Sequence, residues 1–113
     1  MYTYAGPEIS VATTKAYSAQ LITIYLLAMQ LATSKGLLSE DEREELMKEL
    51  ESLPDKINKI LEDKERIQWF ASKYANAKSI FFIGRGIDYG ICLEGSLKLK
   101  EISYIHSEAY AAG

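Results

Sequence analysis

The sequence predicts a mostly helical α/β chain with one clear strand and room for a second short one, and three observations lead there. Ser79 to Ile83 is an apolar, aromatic-rich run that ends in Gly84-Arg85-Gly86 and passes at once into a helical pattern, as a buried parallel strand feeding a helix does. Ala16 to Ser34 is a nearly uncharged stretch of helical length. Ser39-Glu40-Asp41-Glu42 has the Ser-x-x-Glu form of a helix start. Of the 113 residues, 48% are hydrophobic, which is enough for a packed core and argues against wholesale disorder.

Taken in order, Met1-Tyr2-Thr3-Tyr4 has the β-branched and aromatic content of a short strand, and Gly6-Pro7 ends it. Pro7 suits the first turn of a helix and Glu8 its positive end. A long helix is therefore expected from Glu8 or Ser10 to Lys35, stopped by Gly36. In its second half Leu21, Ile24, Leu26, Leu27 and Leu31 leave little polar face, so the helix should be covered on most sides.

Ser39 should cap a helix striped by Leu46, Leu50 and Leu53, and Pro54 should start another with Ile57, Ile60 and Leu61 on one side. Between Glu40 and Arg66 eleven acidic and six basic residues give a net charge of −5, while the rest of the chain sums to +2. Charges mixed in this way mark a solvated helix surface. Ile67, Phe70, Ala71 and Tyr74, with Trp69 beside them, continue a helical pattern to about Ala75, and core packing is expected for them. Asn76-Ala77-Lys78 turns the chain into the strand, and the final helix carries Leu93 to Ile105.

Several classes of function are disfavoured by what the chain carries. Its net charge is −3 and it has no basic patch, so no nucleic-acid partner is expected. The densely apolar centre of the first helix, Leu21 to Ala32, is short of a membrane span, and no basic segment with a cleavage site opens the chain. The expectation is no membrane association, no export and a cytoplasmic location. Cys92 is the single cysteine, so no internal disulfide or cysteine metal cluster can form, and it reads as a small core residue. His106, the single histidine, gives a metal site or a Ser/His/Asp triad little support and reads as a structural turn residue. Gly84-Arg85-Gly86 with Gly90 lacks the spacing of the dinucleotide fingerprint, and no second strand is expected after it to carry a ribose-binding acid. The P-loop pattern is also missing, and neither a cofactor nor a metal is expected.

The residues with chemistry left to explain are Glu94, Lys98 and Glu101. On a helix they stand at i, i+4 and i+7, so one ammonium lies between two carboxylates. As an exposed ladder each pair would add only a few tenths of a kcal/mol. Their place after a strand and a glycine turn argues for more, because open α/β sheets bind ligands at that strand-to-helix edge. A positioned carboxylate can move a proton between adjacent carbons, and a nearby ammonium can stabilise charge developing on oxygen. Thr13, Thr14 and Lys15 admit two readings, helix-start chemistry or a site for an anionic or polyhydroxy ligand.

Gly84-Arg85-Gly86, Leu93-Glu94-Gly95, the run from Leu97 to Ile105 and Glu108-Ala109-Tyr110-Ala111-Ala112-Gly113 resemble the isomerase half of the glutamine:fructose-6-phosphate aminotransferase family. That half consists of two sugar isomerase (SIS) domains. The segment from Ala5 to Tyr17 is similar to the stretch that closes the first of them and lines its sugar pocket, although the family commonly has Ser at Thr13 and Phe at Tyr17. The resemblance implies two flavodoxin-like parallel sheets in the parent fold. It also implies that Glu101 is the catalytic glutamate, Lys98 its companion, Glu94 their support, and Val11 and Thr13 substrate-binding. Residues 1–53 would end the first SIS domain, 54–66 connect, and 67–113 begin the second. The implied reaction makes glucosamine 6-phosphate from fructose 6-phosphate and glutamine-derived ammonia, in a homo-oligomer.

The resemblance places the glutaminase domain, a Ser/Thr-rich phosphate loop and a ring-opening histidine outside these residues. The chain is accordingly expected to be inactive by itself, and its lone strand to self-associate or leave the ends disordered. A related SIS deglycase or isomerase, a SIS module that binds a sugar phosphate without catalysis, and a helical interaction module are the other readings. The last two leave Glu101 beside Lys98 without a purpose.

Overall fold

The computed structural model describes residues 2–113. Five helices and two strands follow one another: α1 (Lys15–Ser34), α2 (Glu40–Glu51), α3 (Leu53–Leu61), α4 (Lys64–Tyr74), β1 (Ser79–Gly84), α5 (Ile87–Ser103) and β2 (His106–Ala111). The chain divides into two compact units, one of Met1–Pro7 with Thr14–Phe70 and the other of Glu8–Thr13 with Ala71–Gly113.

In the first unit the end of α1 and the start of α2 form as the local sequence dictates. Gly36 takes a positive φ of 69°, its N–H donates to the Thr33 carbonyl (3.0 Å) and that of Leu37 to the Ala32 carbonyl (2.9 Å). This double closure satisfies carbonyls that a helix end leaves free, and it needs a residue at ease in the left-handed region. The Ser39 N–H donates to Glu42 Oε2 (2.9 Å) and the Glu42 N–H to Ser39 Oγ (3.3 Å), a complete capping box. The bonds from the Ser39 hydroxyl and backbone also hold the Glu42 carboxyl below its ordinary range.

The other end of α1 departs from expectation. The helix begins at Lys15, not at Glu8 or Ser10, and its N-cap Thr14 makes no side-chain capping bond. Ser10 Oγ donates to the Ala12 carbonyl and Thr13 Oγ1 to the Val11 carbonyl, both at 3.4 Å. Such local bonds offer the backbone an alternative to the helix. The expected strand at residues 1–4 is also not found: Met1 lies outside the described residues, and Tyr2 to Tyr4 form no strand.

Along α1, Leu21, Ile22 and Tyr25 share an apolar groove with Leu50, Leu53 and Ile57, and Met29 is buried. The cover expected on most sides is not provided within the chain, since Ile24 and Leu31 are about three-fifths exposed. Core packing of the α4 stripe is likewise not met. Ile67, Trp69, Phe70 and Tyr74 are all exposed, and Trp69 stands edge-on to Phe70 with ring centroids 5.0 Å apart. Periodicity marks an apolar face; it does not say that the partner lies within the same residues.

The second unit contains a β1-α5-β2 crossover. The strands pair in parallel, from Ser79 opposite His106 to Gly84 opposite Ala111. The second strand is therefore not the one sought at the N-terminus, and His106 opens it where a turn was expected. β1 is not a lone strand, because a helix joining two strands lets the apolar run find a parallel partner close in sequence. Its burial alternates, with Ile80, Phe82 and Gly84 on the more covered face and Phe81 and Ile83 exposed. Gly84 admits no larger residue: a Cβ there would lie 2.6 Å from the Asp88 backbone and 2.8 Å from Cys92 Sγ. Cys92 is accordingly a half-buried packing residue against the strand end.

Candidate functional site

α5 follows the turn at Gly86 and stops at Tyr104, which takes a left-handed φ of 60° while its N–H still reaches the Lys100 carbonyl (3.1 Å). The helix brings Glu94, Lys98 and Glu101 together. Lys98 Nζ lies 2.6 Å from Glu101 Oε2 and 3.5 Å from Glu94 Oε1, so it bonds the first and is paired electrostatically with the second. The three side chains are only 20 to 23% exposed, against 41 to 70% for the ion pairs within α2.

The hydrogen bond to Glu101, with charge attraction from Glu101 and Glu94, raises the Lys98 pKa above the ordinary lysine value despite partial desolvation. Lys98 is therefore an ammonium through the neutral range. It can donate a proton or stabilise negative charge; it cannot serve as a resting base.

The strand-to-helix edge is not where this group sits. α5 runs from Ile87 to Ser103, so Lys98 and Glu101 lie in its second half, away from the turn at Gly86. The rule for open sheets places ligands by strand ends, whereas here the ladder's position follows from helix spacing and from what surrounds the helix.

Val11 and Thr13 lie in the short segment Glu8–Thr13, which belongs to the same compact unit as α5. Their mutual contact is the Thr13 hydroxyl to Val11 carbonyl bond, and Val11 is 82% exposed. No described hydrogen bond joins either of them to Lys98 or Glu101.

Two groups of residues emerge only from the fold. Ser96 on α5 and Ser107 on β2 are 3% and 0% exposed; Ser96 Oγ donates to Ser107 Oγ (3.1 Å) and Ser107 Oγ to the Ser96 carbonyl (2.7 Å). On β2, His106 Nε2 lies 3.3 Å from Glu108 Oε1, and the Tyr110 hydroxyl donates to Glu108 Oε2. The tyrosine bond is the main cause of a lowered Glu108 pKa, and Glu108 in turn raises that of Tyr110. Alternation at 106, 108 and 110 was the available signal, but it carries meaning only once β2 is known to be a strand. The serines had no comparable signal. Among the described residues no cluster suits a metal ion, and no helix is long and apolar enough to cross a membrane.

Residues 73–113, which hold the β1-α5-β2 crossover, match the SIS domain family. Beyond that unit, the whole chain is similar to glutamine–fructose-6-phosphate aminotransferase [isomerizing] of Caldanaerobacter subterraneus subsp. tengcongensis, at 58% identity over 113 residues, all of this chain and 19% of that protein. The enzyme of the same name from Clostridium tetani is 59% identical over the same span. The fold is similar to the C-terminal domain of glucosamine-fructose-6-phosphate aminotransferase from Francisella tularensis, with a TM-score of 0.92 and 36% identity over 96% of this chain and 30% of that one. The chain thus spans about a fifth of the length of the curated relatives it matches. Its second unit thus matches the SIS domain family, and its full length is similar to a segment of the isomerizing aminotransferases.

Proposed function

We propose that the chain is a segment of an isomerizing glutamine–fructose-6-phosphate aminotransferase and supplies the groups that move a proton between sugar carbons. Residues 1–53 end a first SIS domain, 54–66 connect, and 67–113 begin the second. The beginning of the family match at residue 73 supports this division.

The observation that carries the reading is the Lys98 ammonium held between Glu101 and Glu94 with all three side chains largely covered. In the imine formed from fructose 6-phosphate and ammonia, the Glu101 carboxylate takes a proton from the hydroxyl-bearing carbon as the imine nitrogen gains one, leaving an enolamine. It then returns its proton to the nitrogen-bearing carbon as the adjacent hydroxyl gives up its own and becomes the aldehyde oxygen. No proton is lost or gained over the step. Lys98 stabilises charge building on oxygen or relays a hydroxyl proton, and Glu94 fixes the lysine. Val11 and Thr13 hold the sugar. Their segment's membership of the α5 unit supports that role. The names of the relatives that align with the whole chain favour an aminotransferase over a deglycase.

The test is Glu101→Gln in the full-length protein that carries this segment, with sugar-phosphate binding measured separately. Turnover should fall about 10²- to 10⁴-fold with binding retained. Unchanged turnover overturns the assignment.

The same reading makes the protein a cytoplasmic homodimer. Sedimentation of the full-length protein as a monomer would contradict it.

A further inference from the structure

We propose that Ser96 and Ser107 are positioning residues for the proton-transfer group. Their two hydrogen bonds fix the rotation of α5 and thereby the place of Lys98 and Glu101. The inference rests on the function proposed above.

The argument begins with the face of α5 that meets the sheet. Gly95 lies against the Phe82 ring, with a Cβ position 3.3 Å from it, and Cys92 against Gly84. Small residues bring helix and strands close, but they offer few steps to resist rotation about the helix axis. Directional bonds supply what shape does not. Ser107 reaches from β2 to both the hydroxyl and the carbonyl of Ser96, where exposure is 3% or less. Water cannot readily replace a bond lost there.

At about 100° per residue, Glu94, Lys98 and Glu101 all lie within about 40° of the side directly opposite Ser96. The serine pair therefore anchors one side of the helix and the charged group occupies the other. With side chains about 5 to 6 Å from the axis, a rotation of about 10° moves a group by about 1 Å. A displacement of that size can lower a reaction rate about a hundredfold.

The experiment compares Ser96→Ala, Ser107→Ala and the double variant with Glu101→Gln in the full-length protein, reading kcat and KM well below the unfolding temperature and Tm separately. Ser107→Ala removes both bonds and should lower kcat about tenfold or more with KM within about twofold. Ser96→Ala keeps the 2.7 Å bond to its own carbonyl and should lose less. The double variant should match Ser107→Ala, since the bonds share one donor and acceptor. Lower Tm with kcat unchanged in the serine variants would overturn the inference and leave the pair a purely structural tie. Should Ser107→Ala fail to fold, an unchanged kcat in Ser96→Ala overturns it equally. A silent Glu101→Gln would instead remove the underlying functional reading, and a silent serine pair beside a dead Glu101→Gln removes only this inference.

Discussion

α2 and α5 carry the same kind of charge ladder in different surroundings. In α2, Lys48 pairs with Glu44 at 2.9 Å and i,i+4 spacing, with both side chains about two-thirds exposed. In α5, Lys98 pairs with Glu94 at the same i,i+4 spacing and with Glu101 at i,i+3, yet these side chains are about one-fifth exposed. An ion pair in water competes with hydration and salt, whereas a covered one is screened less and is costly to leave half-made. Identical spacing therefore has different consequences, and what surrounds the helix decides between them.

The widest gap between the two helices should come from removing the ammonium. Lys98→Gln should lower kcat/KM about 10²-fold in the full-length protein, as the loss of a charge-stabilising donor does, while Lys48→Gln leaves it unchanged. Equal effects would erase the contrast. Because the Lys98 pKa is raised, the stability it adds is present in full below the ordinary lysine range and is lost as pH rises through the raised value. Unfolding curves of Lys98→Gln and the unsubstituted protein should thus converge only in alkali.

A smaller effect is expected at Thr13, which touches substrate in the proposed site without joining the proton transfer. Thr13→Val keeps the shape and removes the hydroxyl. It should raise KM for the sugar phosphate about tenfold with little change in kcat, the pattern of lost uniform binding. A fall in kcat alone would place Thr13 in the chemistry.

The smallest effect concerns α2 itself. Ser39→Ala should cost about 1 kcal/mol of stability, measured by denaturant unfolding, and leave turnover intact. Its hydroxyl serves one helix end, in contrast to that of Ser107. Loss of turnover there would show that α2 also reports to the site.

Where a bond pattern closes within a few residues, the sequence alone was sufficient. Ser39 with Glu42, Gly36 after α1, Pro54 in the first turn of α3 and the apolar run of β1 were each legible, and the structure places them as expected, except that β1 is covered on one face rather than buried on both. The spacing that brings Lys98 between Glu94 and Glu101 was legible too, because a helix fixes which residues share a face. The start of α1 was not, since Ser10 and Thr13 bond locally in competition with the helix.

β2 was invisible because His106-Ser107-Glu108 is polar and reads as a turn until β1 supplies a parallel edge. The Ser96 and Ser107 tie lay further out of reach, because two serines eleven positions apart carry no pattern until a crossover sets helix against strand. Local hydrogen bonding and periodicity thus determined most elements and the charged face. Burial, strand partnership and the rotation of α5 were decided by the tertiary structure, because each depends on groups distant along the chain.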